Sequence, residues 1–109
     1  MIDITLEELA SALMSSATVI DVREPREYVA GHIPGSLLIP LTQLSTRLGE
    51  LDRSRPVYVV CESGNRSSAM THFLIGQGFD ARSVLGGVAA WVRSGRPVVA
   101  GAHPELQPS

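Results

Sequence analysis

Brief β-branched apolar runs alternate with segments of helical period along this chain, and that alternation constrains its fold more than any other feature. Ala17-Thr18-Val19-Ile20-Asp21-Val22 has no helical repeat and suits a strand buried on both faces. Val57-Tyr58-Val59-Val60 is a second such run, and shorter ones lie near Ser36 to Ile39 and Arg82 to Leu85. Between them the period changes. Leu6, Leu9, Ala10, Leu13 and Met14 share one helical face and predict a helix from Leu6 to Ser15. Thr5-Leu6-Glu7-Glu8 has the form of a capping box before it, with Ile4 and Leu9 placed as a hydrophobic staple. Glu24 to Ala30 reads as a short helix with Pro25 near its first turn, and Leu41, Leu44, Leu48 and Leu51 predict another. Ala69, Met70, Phe73 and Leu74 mark a further helix, with Gly78 at its C-cap and Phe79 as the apolar residue that follows. Val88 to Arg93 is the last. Strands separated by helices of these lengths pair in parallel through right-handed crossovers, with helices on both faces of the sheet. The fold class is α/β.

A chain of 109 residues suits one such domain, expected over 1–100, with a loosely held, proline-containing tail over 101–109. Nine basic residues stand against eleven acidic ones, a formal net charge of −2, so no overall positive field gathers nucleic acid or anionic lipid. Every basic residue is Arg, which removes any chemistry that needs a P-loop, Schiff-base or general-base lysine. A single cysteine cannot close an internal disulfide, and His32, His72 and His103 are too far apart in sequence for a zinc-ligand cluster. Met1-Ile2-Asp3-Ile4-Thr5 is not a basic segment leading into an apolar one, and no apolar run approaches the ~20 residues that cross a bilayer. These features predict a cytoplasmic protein with no structural metal and neither a nucleic acid nor a membrane as partner.

The chemistry is concentrated in Cys61-Glu62-Ser63-Gly64-Asn65-Arg66-Ser67, between the Val57–Val60 run and the helix that follows. In open α/β sheets ligands bind beyond the carboxyl ends of strands, where Cys61 stands. A lone cysteine after an apolar strand is ordinarily an inert buried residue. Its setting here changes that reading. A glycine-containing loop entering a helix turns several backbone amides toward one point, where they and the helix end attract an anion. Arg66 is expected to add a guanidinium. Such surroundings lower a thiol's pKa from about 8.5 into the range of roughly 3.5 to 7.5, making Cys61 a nucleophile at neutral pH.

The loop has the form Cys-x-x-Gly-x-Arg-Ser and resembles the active-site loop of the rhodanese family of sulfurtransferases through Cys61, Gly64, Arg66 and Ser67. Asp21-Val22-Arg23-Glu24-Pro25 with Glu27-Tyr28 and Gly31-His32-Ile33-Pro34-Gly35-Ser36 resembles the family's N-terminal signature, and Gly86-Gly87 with Trp91 its C-terminal one. The resemblance runs from about Thr5 to Pro97. It implies a three-layer α/β/α fold with a five-stranded parallel sheet and a two-step reaction without a cofactor. Cys61 takes sulfur from a donor, thiosulfate or a persulfide, and yields it to cyanide or a thiol, with a protein acceptor also compatible. Glu62, Ser63, Gly64, Asn65, Arg66 and Ser67 then bind the substrate anion and the persulfide.

Thiosulfate-using members often carry a basic residue after the cysteine, and Glu62 stands there instead. Like charges ~8 Å apart at an effective dielectric constant of about 20 repel by roughly 2 kcal/mol, which disfavours a dianionic donor. Other residues read as structural: Asp21 and Arg23 as an ion pair or loop brace, His32 as a turn brace, Trp91 as packing, and Arg53, Arg55, Arg93 and Arg96 as solvated charges or loop residues. Two rivals remain at this level. A cysteine-dependent phosphatase or arsenate reductase shares the anion cradle but uses a loop one residue longer. A rhodanese-like module without turnover would bind partners or sense oxidants through its thiol.

Overall fold

The computed structural model describes residues 2–15 and 17–104, and five parallel strands run through it. In chain order the elements are β1 (Asp3–Ile4), α1 (Leu6–Leu13), β2 (Thr18–Asp21), α2 (Pro25–Ala30), β3 (Leu37–Leu38), β4 (Val57–Val60), α3 (Asn65–Gly76), β5 (Ala81–Val84) and α4 (Gly87–Arg93). The sheet order is β1-β5-β4-β2-β3, so β4 lies at its centre. Thr18 to Asp21 pair with Val57 to Val60 in register, and Val57 to Val59 with Ala81 to Ser83.

The β-branched runs form central strands because both of their faces meet apolar layers. Val57 and Val59 enter one core with Ile20, Ile39, Leu44, Leu51, Leu74 and Phe79, against which Met70 and Phe73 of α3 pack. Val60 enters the other with Val19, Leu9 of α1, and Val88 and Trp91 of α4. The period-2 alternation of β4 thus feeds two cores, which is the three-layer α/β/α arrangement.

The N-terminal cap forms as its residues dictate: Glu8 N donates to Thr5 Oγ1 at 3.1 Å and Thr5 N to Glu8 Oε1 at 3.0 Å. At the end of α3, Gly78 adopts φ +91° and its amide donates to the Ile75 carbonyl, while Phe79 N donates to that of Leu74, both at 3.1 Å. This double bond closes the helix and drives Phe79 into the core.

Two expectations are corrected, and one element appears that the residues did not announce. Leu41 to Leu51 forms two 3₁₀ segments, Leu41–Thr46 and Leu48–Glu50, rather than one α-helix. The leucine spacing is three, four, three, so each pair repeats with the 3₁₀ period and one residue separates the two turns. Gly49 and the Thr46 hydroxyl, which bonds the Gln43 carbonyl at 2.9 Å, further disfavour a continuous α-helix. The unannounced element is β1, a strand with no sequence signal of its own, being only two residues long. Second, Arg53 and Arg96 are not simply solvated: their guanidiniums lie over Phe79 at 4.4 Å and Trp91 at 5.5 Å.

The tail expected over 101–109 begins with contacts, since Gly101 N donates to the Val29 carbonyl at 2.9 Å and Gly35 N to that of Pro104 at 2.8 Å. The rest of it, 105–109, lies outside the described residues.

The segment after α2 is held from within. Tyr28 is fully buried, stacks on His32 with ring centroids 3.6 Å apart, and donates its hydroxyl to the Ser36 carbonyl. His32 Nδ1 lies 2.8 Å from the Tyr28 carbonyl, as the brace expected of it. Tyr28→Phe leaves the Ser36 carbonyl buried without that donor and is expected to lower stability by about 1–3 kcal/mol. Urea unfolding should show a lower midpoint with an unchanged slope.

Candidate functional site

At the carboxyl edge of the sheet, the residues following β2 and β4 leave side by side, because Asp21 pairs with Val60. Cys61 is thereby set next to the turn that carries Arg23. Gly64 follows with φ +106°, a left-handed conformation that glycine adopts without strain, and α3 begins at Asn65. Asn65, Arg66 and Ser67 are therefore the first turn of the helix, which starts four residues before the apolar face seen in the sequence.

The sulfur of Cys61 is the focus of this turn. Gly64 N donates to Sγ at 3.1 Å and Ser67 N at 3.2 Å, and Ser67 Oγ lies 3.5 Å away. Burial pushes the thiol up, with Cys61 only 1% exposed. Hydrogen bonds from the Ser67 hydroxyl and from the amides of Ser67, Gly64 and Ser63 outweigh it, so the net shift is below the ordinary thiol value. The Ser67 hydroxyl is in turn 2.9 Å from Ser83 Oγ on β5.

The loop's other side is fastened to α4. Val88 N donates to the Cys61 carbonyl at 2.8 Å and Ala89 N to the Glu62 carbonyl at 3.0 Å. In a trans peptide the carbonyl and the following N–H point opposite ways, so these bonds turn the amides of Glu62 and Ser63 away from α4. Gly87 makes the approach feasible: a Cβ there would lie 2.2 Å from the Cys61 oxygen.

Two ion-pair systems flank the sulfur. Arg23, 3% exposed, donates through Nε to Asp21 Oδ1 at 3.0 Å and through Nη2 to Asp21 Oδ2 at 2.9 Å. It also binds the Gly31 carbonyl at 2.8 Å and Glu62 Oε1 at 3.1 Å. Asp21 and Arg23 form the structural pair expected of them, and it extends to the loop. Arg66 does not direct a free guanidinium at the sulfur. Its Nη1 and Nη2 bond the two carboxylate oxygens of Glu27 at 2.9 and 3.0 Å. This fork from Arg66 holds the Glu27 carboxyl down at about 2.

Of the predicted substrate-binding residues, Gly64 and Ser67 meet at Sγ, and Ser63 contributes its amide. Glu62 and Arg66 are held by Arg23 and Glu27. Ser63, Gly64 and Asn65 also line a cleft of about 260 Å³ on the loop's flank, with Asp3, Ser83 and Gly86 among its other walls. Glu27, Ser83 and Gly87 were not singled out from sequence as site residues. Glu27 and the Gly86-Gly87 doublet carried a readable signal, as parts of the two flanking signatures, and Ser83 carried none. Among the described residues no group of His, Cys, Asp and Glu is arranged to hold a metal ion, and no helix is long and apolar enough to cross a membrane.

A family model for the rhodanese-like domain matches residues 5–94. The chain belongs to the rhodanese-like family. A sulfurtransferase from Allochromatium vinosum is 35% identical over 101 residues, spanning 90% of this chain and 94% of that protein. The crystal structure of a rhodanese-related protein from Thermoplasma volcanium superposes with a TM-score of 0.83 at 37% identity, over 89% of this chain and 96% of the other. A rhodanese-like domain protein from Staphylococcus aureus gives 0.78 at 35% identity, over 84% and 91%. The five-stranded parallel sheet is thus that of a rhodanese-like fold, and the chain has a sulfurtransferase among its relatives.

Two outcomes follow. Ser67→Ala should raise the pH midpoint of Cys61 alkylation by about one unit, the size of a lost hydrogen bond to a charged sulfur. With one cysteine in the chain, iodoacetamide labelling reads that sulfur alone. Glu27 has a folded pKa of about 2 against an ordinary 4.5, so its pair with Arg66 stabilises above pH 4.5 and is lost as pH falls toward 2. The difference in urea midpoint between the wild type and Glu27→Gln should therefore be greatest at neutral pH and shrink across that interval.

Proposed function

We propose that this rhodanese-like domain is a sulfurtransferase that carries sulfur as a persulfide on Cys61. The observation that carries the reading is the pair of amides, from Gly64 and Ser67, directed at Sγ at 3.1 and 3.2 Å. They favour the thiolate that must attack, and a persulfide whose charge sits one atom further out can draw on the same cradle.

In the first step the Cys61 thiolate attacks the outer sulfur of thiosulfate or of a persulfide. A sulfur–sulfur bond forms to Cys61, the donor's own breaks, and sulfite or a thiolate leaves with the electron pair. In the second, cyanide or a thiolate attacks the outer sulfur of the Cys61 persulfide. Thiocyanate or a new persulfide departs, and Cys61 returns as thiolate. No net oxidation occurs over the cycle, which fits a site with a single cysteine and no resolving partner. A cytoplasmic setting, where thiols stay reduced, suits this chemistry.

A second reading, a rhodanese-like module without turnover, is favoured by the capture of Arg66 by Glu27. The phosphatase reading has less support. The loop encloses one residue fewer than that chemistry uses, and Cys61 is 1% exposed, a tight approach for a tetrahedral phosphoryl group.

Intact mass spectrometry of the reduced protein after thiosulfate or cysteine persulfide should show one added sulfur, absent in Cys61→Ser and released as thiocyanate by cyanide. Gain from neither donor refutes the sulfurtransferase reading and leaves the module.

A further inference from the structure

The charges around Cys61 are already spent on one another. Arg23 is shared between Asp21 at 2.9 Å and Glu62 at 3.1 Å, and Arg66 is held by Glu27 at 2.9 Å. Three carboxylates thus face two guanidiniums, and the thiolate adds a further negative charge when it forms. What remains to attract a substrate is the set of amides at the loop and the first turn of α3, which are partial charges and point at the sulfur. The chain has no lysine to supply another cation.

From this balance we infer that the donor is a persulfide of a small thiol, carrying at most one charge at its reacting end, and that thiosulfate, a dianion, is discriminated against. The inference rests on the sulfur-transfer reading and names its donor class. In the loading step the Cys61 thiolate bonds to the terminal sulfur of R–S–SH. The donor's S–S bond breaks, and R–S⁻ leaves with the electron pair and takes a proton from water. The leaving group carries one negative charge, whereas sulfite released from thiosulfate carries two into the same surroundings.

Glu27 and Glu62 are then the specificity-determining residues, although neither touches the reacting sulfur. Glu62 has a side chain 47% exposed at the mouth of the loop, and Glu27 keeps Arg66 from turning to a substrate. One unbalanced charge at ~8 Å and an effective dielectric constant of about 20 corresponds to roughly thirtyfold in rate, and solvent exposure reduces this to about tenfold.

The test is single-turnover loading of the full-length reduced protein at neutral pH, followed by intact mass, with thiosulfate and cysteine persulfide at equal concentration. The wild type should load faster from cysteine persulfide by about tenfold or more. Glu27→Gln and Glu62→Gln should each raise the ratio of thiosulfate to persulfide loading by about tenfold, and either variant alone decides if the other fails to fold. Equal loading of the wild type from both donors, or a ratio unmoved in the variants, overturns the inference while leaving sulfur transfer standing. Loading from neither donor removes sulfur transfer itself, and the inference with it.

Discussion

The seating of the Cys61 and Glu62 carbonyls on the first amides of α4 is the contact on which the site depends. Both carbonyls lie beyond the last ladder bonds of β4, and a buried carbonyl without a donor is costly. Val88 and Ala89 satisfy them with amides that the start of a helix leaves unused. One contact therefore serves two ends. It caps α4, and by fixing the peptide planes after Cys61 and Glu62 it turns the next amides away from α4. Gly87 is the condition for this, since a side chain there would occupy the space of the Cys61 oxygen. The loop around Cys61 is built by β4 and by a helix that begins 26 residues later in the chain than the cysteine, more than by the loop's own sequence.

The electrostatic design follows from burial. Arg23 and Asp21 are almost fully enclosed, where an unpaired charge is untenable, and their fork with the extra bonds to Gly31 and Glu62 gives every guanidinium nitrogen a partner. The same network ties three chain segments together at the sheet edge: the turn after β2, the segment after α2, and the loop after β4. Such saturation gives rigidity and removes net attraction for anions. Attraction for negative charge at Sγ is left to short-range backbone dipoles, which discriminate by position more than by total charge.

Much of this arrangement was legible in the sequence, for local reasons. Val57 to Val60 and Thr18 to Asp21 announce themselves because a strand between two apolar layers must be apolar on both faces. The capping box and the Gly78-Phe79 ending are short-range chemistry and appear as written. The leucines from Leu41 to Leu51 misled because spacings of three and four are shared by 3₁₀ and α geometry, and hydroxyl and glycine residues between them settle the choice. β1 escaped notice because two residues carry no period, and its pairing with Ser83 and Val84 is a tertiary fact. Arg66 was readable as a loop cation, but its partner lies 39 residues upstream on another element, and only the packed fold brings the two together.

Ser83 escaped for the same reason, yet its position explains how a buried sulfur can change charge without disrupting its surroundings. Ser67 Oγ has one proton and two lone pairs, and two polar groups besides Ser83 meet it: Sγ at 3.5 Å and the Gly64 carbonyl at 3.1 Å. With Cys61 as a thiol, the S–H donates to Ser67 Oγ, and the Ser67 proton goes to the Gly64 carbonyl. As a thiolate, Sγ has nothing to donate, and rotation of the same hydroxyl turns its proton to the sulfur. In both states the Ser83 hydroxyl, 2.9 Å away, can donate into Ser67 Oγ and keep that oxygen occupied. One bond rotation therefore accommodates the proton change, with the amides of Gly64 and Ser67 unmoved. A buried thiol that gains and loses its charge needs this kind of small reorganisation more than it needs a nearby fixed cation.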